Sequence, residues 1–218
     1  MKFFPTVLAA LFAGVSMATK GVDFSTPLSV STFQCLKSYD YTFAIPRAWK
    51  SYGAFDSESI QNIANARAAG IPYVDVYMFP CRGQSATNQV NQLISSLGSA
   101  NYGQIWLDIE TNPSSGCSWA NYGGASNCDY VGELIAAVRN KGKAPGIYAS
   151  RYMWEQIMGS AGSCTKHTAT PLWYAHYDGV ASFSDWNSVS FGGWSKPNIK
   201  QYKGDVTVCG AGVDLSFY

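Results

Sequence analysis

Gln104-Ile105-Trp106-Leu107-Asp108-Ile109-Glu110 is a run of strand-forming residues that ends in two acids, before Thr111-Asn112-Pro113-Ser114 turns the chain away. Side chains alternate along a strand, so Ile105, Leu107 and Ile109 share one face and Trp106, Asp108 and Glu110 the other. In an open sheet the second face would meet solvent. In a barrel it lines the interior and opens at the carboxyl end of the strand, which makes Asp108 and Glu110 floor residues of a cleft. Taken alone, the segment also fits two carboxylates that solvate the edge of a loop.

The same pattern recurs on either side. Gly21-Val22-Asp23-Phe24-Ser25 reads as a first strand carrying Asp23, followed by a helix that runs to about Tyr39 through Leu28, Phe33 and Leu36. Tyr41 to Ile45 is a second strand stopped by Pro46, and Ser57 to Ala69 a helix with Ile60, Ile63, Ala64 and Ala68 at helical spacing. In the third strand Val74, Val76 and Met78 alternate with Tyr73, Asp75, Tyr77 and Phe79, which adds Asp75 to the inward candidates. A helix from Asn88 to Leu97 leads into the Asp108-Glu110 strand. Ser114 to Asn127 is rich in Ser, Gly and Asn and reads as a long loop walling the cleft.

Tyr130 to Lys141 is a further helix, and Pro145 to Ala149 a fifth strand whose Tyr148 faces inward if Ile147 and Ala149 face the helices. Past Ser150 the periodicity weakens: a short helix near Met153 to Met158, a sixth strand from Leu172 to His176, and strands at Ile199 to Tyr202 and Val213 to Tyr218 with no helix between them. The fold expected is α/β, a single-domain TIM-like (β/α) barrel whose closing part is irregular and antiparallel. An open doubly wound sheet is the rival, but no Gly-rich phosphate loop follows the first strand.

Residues 1–18 carry Lys2, an apolar core from Phe3 to Val15, and Ser16-Met17-Ala18 at the place where a signal peptidase cuts. That run is shorter than the roughly 20 apolar residues a membrane span needs, so a cleaved signal peptide is expected rather than an anchor. The barrel domain is then residues 19–218. A formal charge of +1 and only 13% charged residues exclude a nucleic-acid or membrane-surface protein, while 15% aromatics suit a polar, uncharged ligand met by rings. Cys35, Cys81, Cys117, Cys128, Cys164 and Cys209 predict three disulfides, with Cys117 and Cys128 the pair nearest in sequence. No CxxC motif occurs, which argues against zinc, and the proline of Asn112-Pro113-Ser114 blocks glycosylation there.

In a barrel the carboxyl ends of the strands converge, so Asp23, Asp75, Asp108, Glu110 and Asp214 can meet although they are scattered along the chain. Crowded acids cannot all ionise, and a proton donor beside a carboxylate, ringed by aromatics, is what glycoside hydrolysis requires. Gly21-Val22-Asp23-Phe24-Ser25, Trp106 to Glu110, Gly146-Ile147-Tyr148, Leu172 to Tyr177 and Val213-Asp214-Leu215 together resemble the ordered motifs of glycoside hydrolase family 25, the N-acetylmuramidase lysozymes. Val74 to Cys81 and Gly192-Gly193-Trp194 most resemble the secreted members from amoebae and nematodes.

The resemblance implies hydrolysis of the β-1,4 bond between N-acetylmuramic acid and N-acetylglucosamine in bacterial peptidoglycan, for bacterial digestion or antibacterial defence. It implies Glu110 as proton donor, Asp108 as the acid acting on the substrate's N-acetyl group or the developing charge, and Asp23 and Asp214 as the acids completing the site. Asp75, Tyr77, Tyr148 and His176 are the candidate substrate contacts, Asp75 having a buried acid satisfied by tyrosines as its alternative reading. Asp-x-Glu on a barrel strand also matches substrate-assisted glycosidases. Where many bacterial members carry Lys-x-Thr-Glu-Gly after strand two, this chain has Pro46-Arg47-Ala48-Trp49, leaving Arg47 as a site cation or a structural ion pair.

Trp106, Trp119, Trp173 and Trp194 are read first as packing residues, with stacking on sugar rings as the alternative; if Tyr174 and His176 face the cleft, Trp173 faces the helices. His167, beside Lys166, is expected to be exposed. No metal or organic cofactor is expected. The protein is expected to act as a monomer on peptidoglycan, without nucleic acid or a membrane anchor, outside the cell or in the lumen of a digestive vacuole. A noncatalytic glycan-binding protein and a chitin-cleaving relative are the alternatives.

Overall fold

In a computed structural model, which describes residues 19–218, the elements run β1 (Lys20–Phe24), α1 (Val30–Ser38), β2 (Tyr41–Lys50), β3 (Ala54–Phe55), α2 (Glu58–Ala68), β4 (Tyr73–Val74), β5 (Val76–Met78), α3 (Ala86–Leu97) and β6 (Ile105–Asp108), then α4 (Gly124–Asn140), β7 (Pro145–Ser150), α5 (Arg151–Met158), β8 (Leu172–Ala175), α6 (Trp186–Val189), β9 (Ile199–Val208) and β10 (Ala211–Phe217). The signal-peptide reading of residues 1–18 lies outside the described residues.

Eight strands close a barrel in the order β1-β10-β9-β8-β7-β6-β5-β2, with β2 pairing back to β1. From β2 through β5, β6, β7, β8 and β9 neighbours are parallel, whereas β10 runs antiparallel to both β9 and β1. The closing part is therefore a hairpin, as the missing helix before Val213 predicts.

Two cores follow from strand alternation. The larger lies between barrel and helices, where Val76, Ile105, Leu107, Ile109, Ile147 and Leu172 are wholly enclosed. The smaller fills the barrel with Phe43, Ile45, Trp106, Tyr148, Trp173 and Ile199. Such large rings fit only because facing positions are bare: a Cβ at Gly21 would sit 2.1 Å from the Phe43 ring, and one at Gly146 2.3 Å from the Trp106 ring.

Several sequence expectations are corrected. β2 runs through Pro46 to Lys50: Pro46 is paired with Phe24 of β1, and on its other edge it falls between the Ala44–Val74 and Arg47–Tyr77 pairings, where its missing N–H is tolerated. α2 buries Ser59, Asn62, Ile63 and Ala66 and leaves Ile60 exposed, since Asn62 is drawn inward to accept from Leu28 N at 2.8 Å. α4 begins at Gly124 rather than Tyr130: a side chain at Gly124 would collide with the Met158 carbonyl, so close packing against α5 overrides the loop-like composition.

Cys117 bonds to Cys81 rather than Cys128, which bonds to Cys164, and Cys35 bonds to Cys209. Cys128 turns into the α4 packing face while Cys117 lies against the Cys81–Arg82 turn, so nearness in sequence is not nearness in space. His167 is half-buried, its Nε2 2.9 Å from the Cys128 carbonyl. Among the described residues, no helix is long and apolar enough to cross a membrane.

Candidate active site

β6 sets the floor. Ile105, Leu107 and Ile109 anchor it outward, and Ile109 N donates to the Tyr148 carbonyl at 2.8 Å, holding the strand in register one residue past its end. Alternation thus carries through Asp108 to Glu110, and both line a pocket of about 120 Å³ at the barrel mouth. The turn that follows is pinned by Asn112, whose Nδ2 donates to the carbonyls of Ser51 at 2.7 Å and Pro80 at 3.1 Å.

Asp23 at the end of β1 and Asp214 on β10 complete the acidic wall; they are direct cross-strand partners. Like charges directly opposite are unfavourable in an ordinary sheet, which makes the pairing a feature of the site rather than of the scaffold. Asp214 Oδ1 accepts from Asp205 N at 2.7 Å, a donor aimed inward by the left-handed backbone of Asp205, φ 53°. Tyr77, Tyr148, Trp173, Tyr177 and Gln201 supply the remaining lining.

Burial chiefly raises the proton affinity of the four acids. Asp23 is pushed well above the ordinary carboxylate range by burial, then by Asp214, with the Gln201 amide acting the other way. Asp108 is raised by burial and then by Glu110 and Asp23. Glu110 is pushed up to about 7 by burial and then by Asp214. Asp214 is raised by burial against the opposing Asp205 N–H. Asp23 Oδ1 and Asp108 Oδ1 are buried with no hydrogen-bond partner among the described residues. A cluster of crowded acids whose proton affinity is raised, that of Glu110 to about 7, suits proton donation to a polar substrate.

Asp23, Tyr77, Asp108, Glu110, Tyr148 and Asp214 are brought together here. Asp75 is not: it faces the barrel interior near the opposite end, accepting from Gln104 N at 2.8 Å and Trp106 Nε1 at 3.0 Å. Its partners are a backbone amide and an indole rather than tyrosines. His176 borders a more open depression of about 450 Å³ that shares Glu110, Tyr148 and Tyr177 with the pocket. The imidazole itself turns outward, Nδ1 2.6 Å from Asp185 Oδ2.

The facing of β8 is the reverse of that expected. Trp173 points inward, its ring 4.5 Å from Tyr148, with its Nε1 donating to Ser216 Oγ at 3.1 Å, whereas Tyr174 packs outward on Trp186. Tyr177 continues the Trp173 and Ala175 face into the pocket. Trp106, Trp119 and Trp194 are buried in packing. Arg47 forms the structural ion pair, its Nε 2.8 Å from Asp56 Oδ2.

Sequence reasoning assigned no role to Tyr177, Gln201 or Asn112, although Gln201 and Tyr202 resemble a family segment near the site; the alternation Trp173-Ala175-Tyr177 was the available signal for the first. Of the clusters with metal-ligand atoms among the described residues, Cys128 and Cys164 are joined in a disulfide. In the His176, Asp178 and Asp185 group, Lys200 Nζ already sits 2.7 Å from Asp178 and 3.0 Å from Asp185, in the position a cation would take.

On the far side of the pocket, Asp205, Thr207 and Asp214 border a polar depression of about 320 Å³, so the acids lie midway along a groove. Residues 15–202 match a family model described as "Lysozyme-like protein 1". "Probable GH family 25 lysozyme 2" of Dictyostelium discoideum is 43% identical over 99% of this chain and 99% of its own length. "Lysozyme-like protein 5" of Caenorhabditis elegans is 37% identical over 99% of this chain and 98% of its own. The bacterial lysozyme of Streptomyces coelicolor shares the fold, with a TM-score of 0.74 at 23% identity over 92% of each chain. A barrel closed by an antiparallel hairpin, acids gathered at its mouth and relatives of this similarity over nearly the whole length lead to one assignment: the chain belongs to the glycoside hydrolase family 25 lysozymes.

Proposed function

We propose that this glycoside hydrolase cleaves the β-1,4 bond between N-acetylmuramic acid and N-acetylglucosamine in bacterial peptidoglycan, with Glu110 as proton donor. The observation that carries the reading is the gathering of Glu110 with Asp108, Asp23 and Asp214 around one pocket, where burial and then Asp214 push Glu110 up to about 7. Glu110 gives its proton to the glycosidic oxygen as the C1–O bond breaks. The carbonyl oxygen of the substrate's 2-acetamido group attacks C1, and Asp108 Oδ1 accepts the acetamido N–H and offsets the positive charge of the cyclic intermediate. Water then adds to C1, gives its proton to the Glu110 carboxylate, and the ring reopens.

Asp23 and Asp214 shape the field around the reacting carbon, and Tyr77 and Tyr148 offer hydroxyls to the sugar. His176 borders the depression beside Glu110 as a candidate substrate contact, while Asp75 acts from below by holding the Trp106 indole. The three disulfides support an oxidising compartment, the cell exterior or a digestive vacuole, where a monomer acts on bacteria as food or threat.

Clearing of purified peptidoglycan by residues 19–218, beside Glu110→Gln, tests the assignment. New reducing ends at muramic acid from the parent alone are expected. Binding without release by a folded parent would favour a noncatalytic glycan-binding protein, and faster release from chitin a chitin-cleaving relative. Full activity on de-N-acetylated peptidoglycan would overturn the substrate-assisted step.

A further inference from the structure

Gln201 is buried in the pocket wall on β9, and every hydrogen-bonding position of its amide is taken. Nε2 donates to Asp23 Oδ2 at 2.8 Å and Asp214 Oδ2 at 3.2 Å. Oε1 accepts from the hydroxyls of Tyr148 at 2.6 Å and Tyr177 at 2.8 Å. An amide offers two N–H donors and two lone pairs on oxygen, so the side chain is saturated. Its orientation is also fixed, since a flipped amide would set its oxygen against two carboxylates.

The four partners come from β1, β10, β7 and the segment after β8, and among the described residues no other side chain hydrogen-bonds to all of them. Lys or Arg at this point would hold both acids ionised in an ion pair. A neutral amide donates to both while leaving them free to share or exchange a proton.

We infer that Gln201 is the positioning residue of the Asp23–Asp214 pair, fixing which oxygen each acid presents and coupling that geometry to Tyr148 and Tyr177. The catalytic half of this inference rests on the proposed hydrolysis; the geometric half does not. With Oδ2 occupied by the amide, Asp23 keeps Oδ1 unpartnered. Asp214 is held from two sides, by the amide at Oδ2 and by Asp205 N at Oδ1, so the pair is aligned before substrate arrives.

The test compares the parent with Gln201→Met, which keeps the length and removes all four bonds, and Gln201→Glu, which keeps the shape. Circular dichroism and thermal melting establish folding. Carboxyl carbon NMR follows the titration of Asp23 without substrate, the groups facing it being Asp214, Glu110, Asp108, Tyr77, Tyr148 and Tyr177. In Gln201→Met, Asp23 should titrate at higher pH than in the parent, because the donor that favours its anion is gone. On peptidoglycan, kcat should fall on the order of 100-fold, with KM changed less than about twofold.

A protonated carboxyl retains one donor and one acceptor, so Gln201→Glu should regain activity as pH falls. A merely structural role would give neither that rescue nor the kcat-against-KM split. An unchanged Asp23 titration, with kcat within about threefold of the parent in both variants, would overturn the inference. If the parent itself clears no peptidoglycan, the proposed function fails, and the NMR comparison still decides the role of Gln201.

Discussion

Asp23 and Asp214 face each other across the seam between β1 and β10, two acids at a position where a sheet ordinarily pairs opposite charges or apolar groups. Burial raises both, and the charge of Asp214 also helps keep the proton on Glu110. Asp214→Asn removes that charge, so Glu110 should ionise at lower pH than its value of about 7 in the parent. The alkaline limb of kcat/KM against pH should move toward acid, a shift read directly from initial rates on peptidoglycan. An unmoved limb would mean that Asp214 does not act on Glu110 through its charge.

Glu110→Gln should separate stability from function. An acid whose folded-state pKa is raised carries no penalty below its unfolded value of about 4.3, and destabilises the fold increasingly as pH climbs toward the folded value. With Glu110 at about 7, that penalty at pH 7 is about 3 kcal/mol. The variant should therefore be more stable than the parent at pH 7 by roughly that amount, with the gain vanishing near pH 4. Urea denaturation at both pH values measures it. Activity of the same variant should fall by about 100-fold or more.

Gly146→Ala probes the packing inside the barrel. Its methyl would meet the Gln104 side chain at 2.2 Å and the Trp106 ring at 2.3 Å, and Trp106 in turn packs on Trp173 beneath the pocket. Overpacking of this kind costs about 1–3 kcal/mol. A lowered melting temperature is the expected result, and an unchanged one would show that the interior yields more easily than its ring contacts suggest.

The Cys35–Cys209 bond ties α1 to the turn between β9 and β10 across 174 positions of sequence. Replacing both cysteines with serine should lower stability by about 2–5 kcal/mol, more than expected from the loss of a short-range crosslink. Thermal melts of the variant and parent, both without reductant, provide the comparison.

The barrel and most of its acids were legible in sequence because aliphatic and polar residues alternate cleanly on the strands that carry Asp23, Tyr77, Asp108 and Tyr148. Leu172 to Ala175 lacks that contrast: Trp173 and Tyr174 are both enclosed, one inside the barrel and one against the helices, so composition gave no phase. Asp75 shows a different limit. Alternation gave its inward face correctly, but not its depth; two residues before Tyr77, it lies below the pocket. Gln201 and Tyr202 resemble a family segment near the site, but the role of Gln201 was hidden because its partners Asp23, Tyr148 and Tyr177 are 178, 53 and 24 residues away, and an amide has no periodicity of its own to betray them.

The barrel closes where its first described strand meets its last. As the chain leaves the ribosome amino end first, β1 can find β2 early, but its other edge has no partner until β10 has been made. Closure is thus the most non-local event in folding and should set its rate, with the intervening strand and helix units forming beforehand. Until then the free edge of β1 is open to mispairing, and Asp214 remains apart from the other acids. Assembly of the candidate site and completion of the barrel are consequently one step, so on the proposed function a nascent chain should gain activity only when β10 docks.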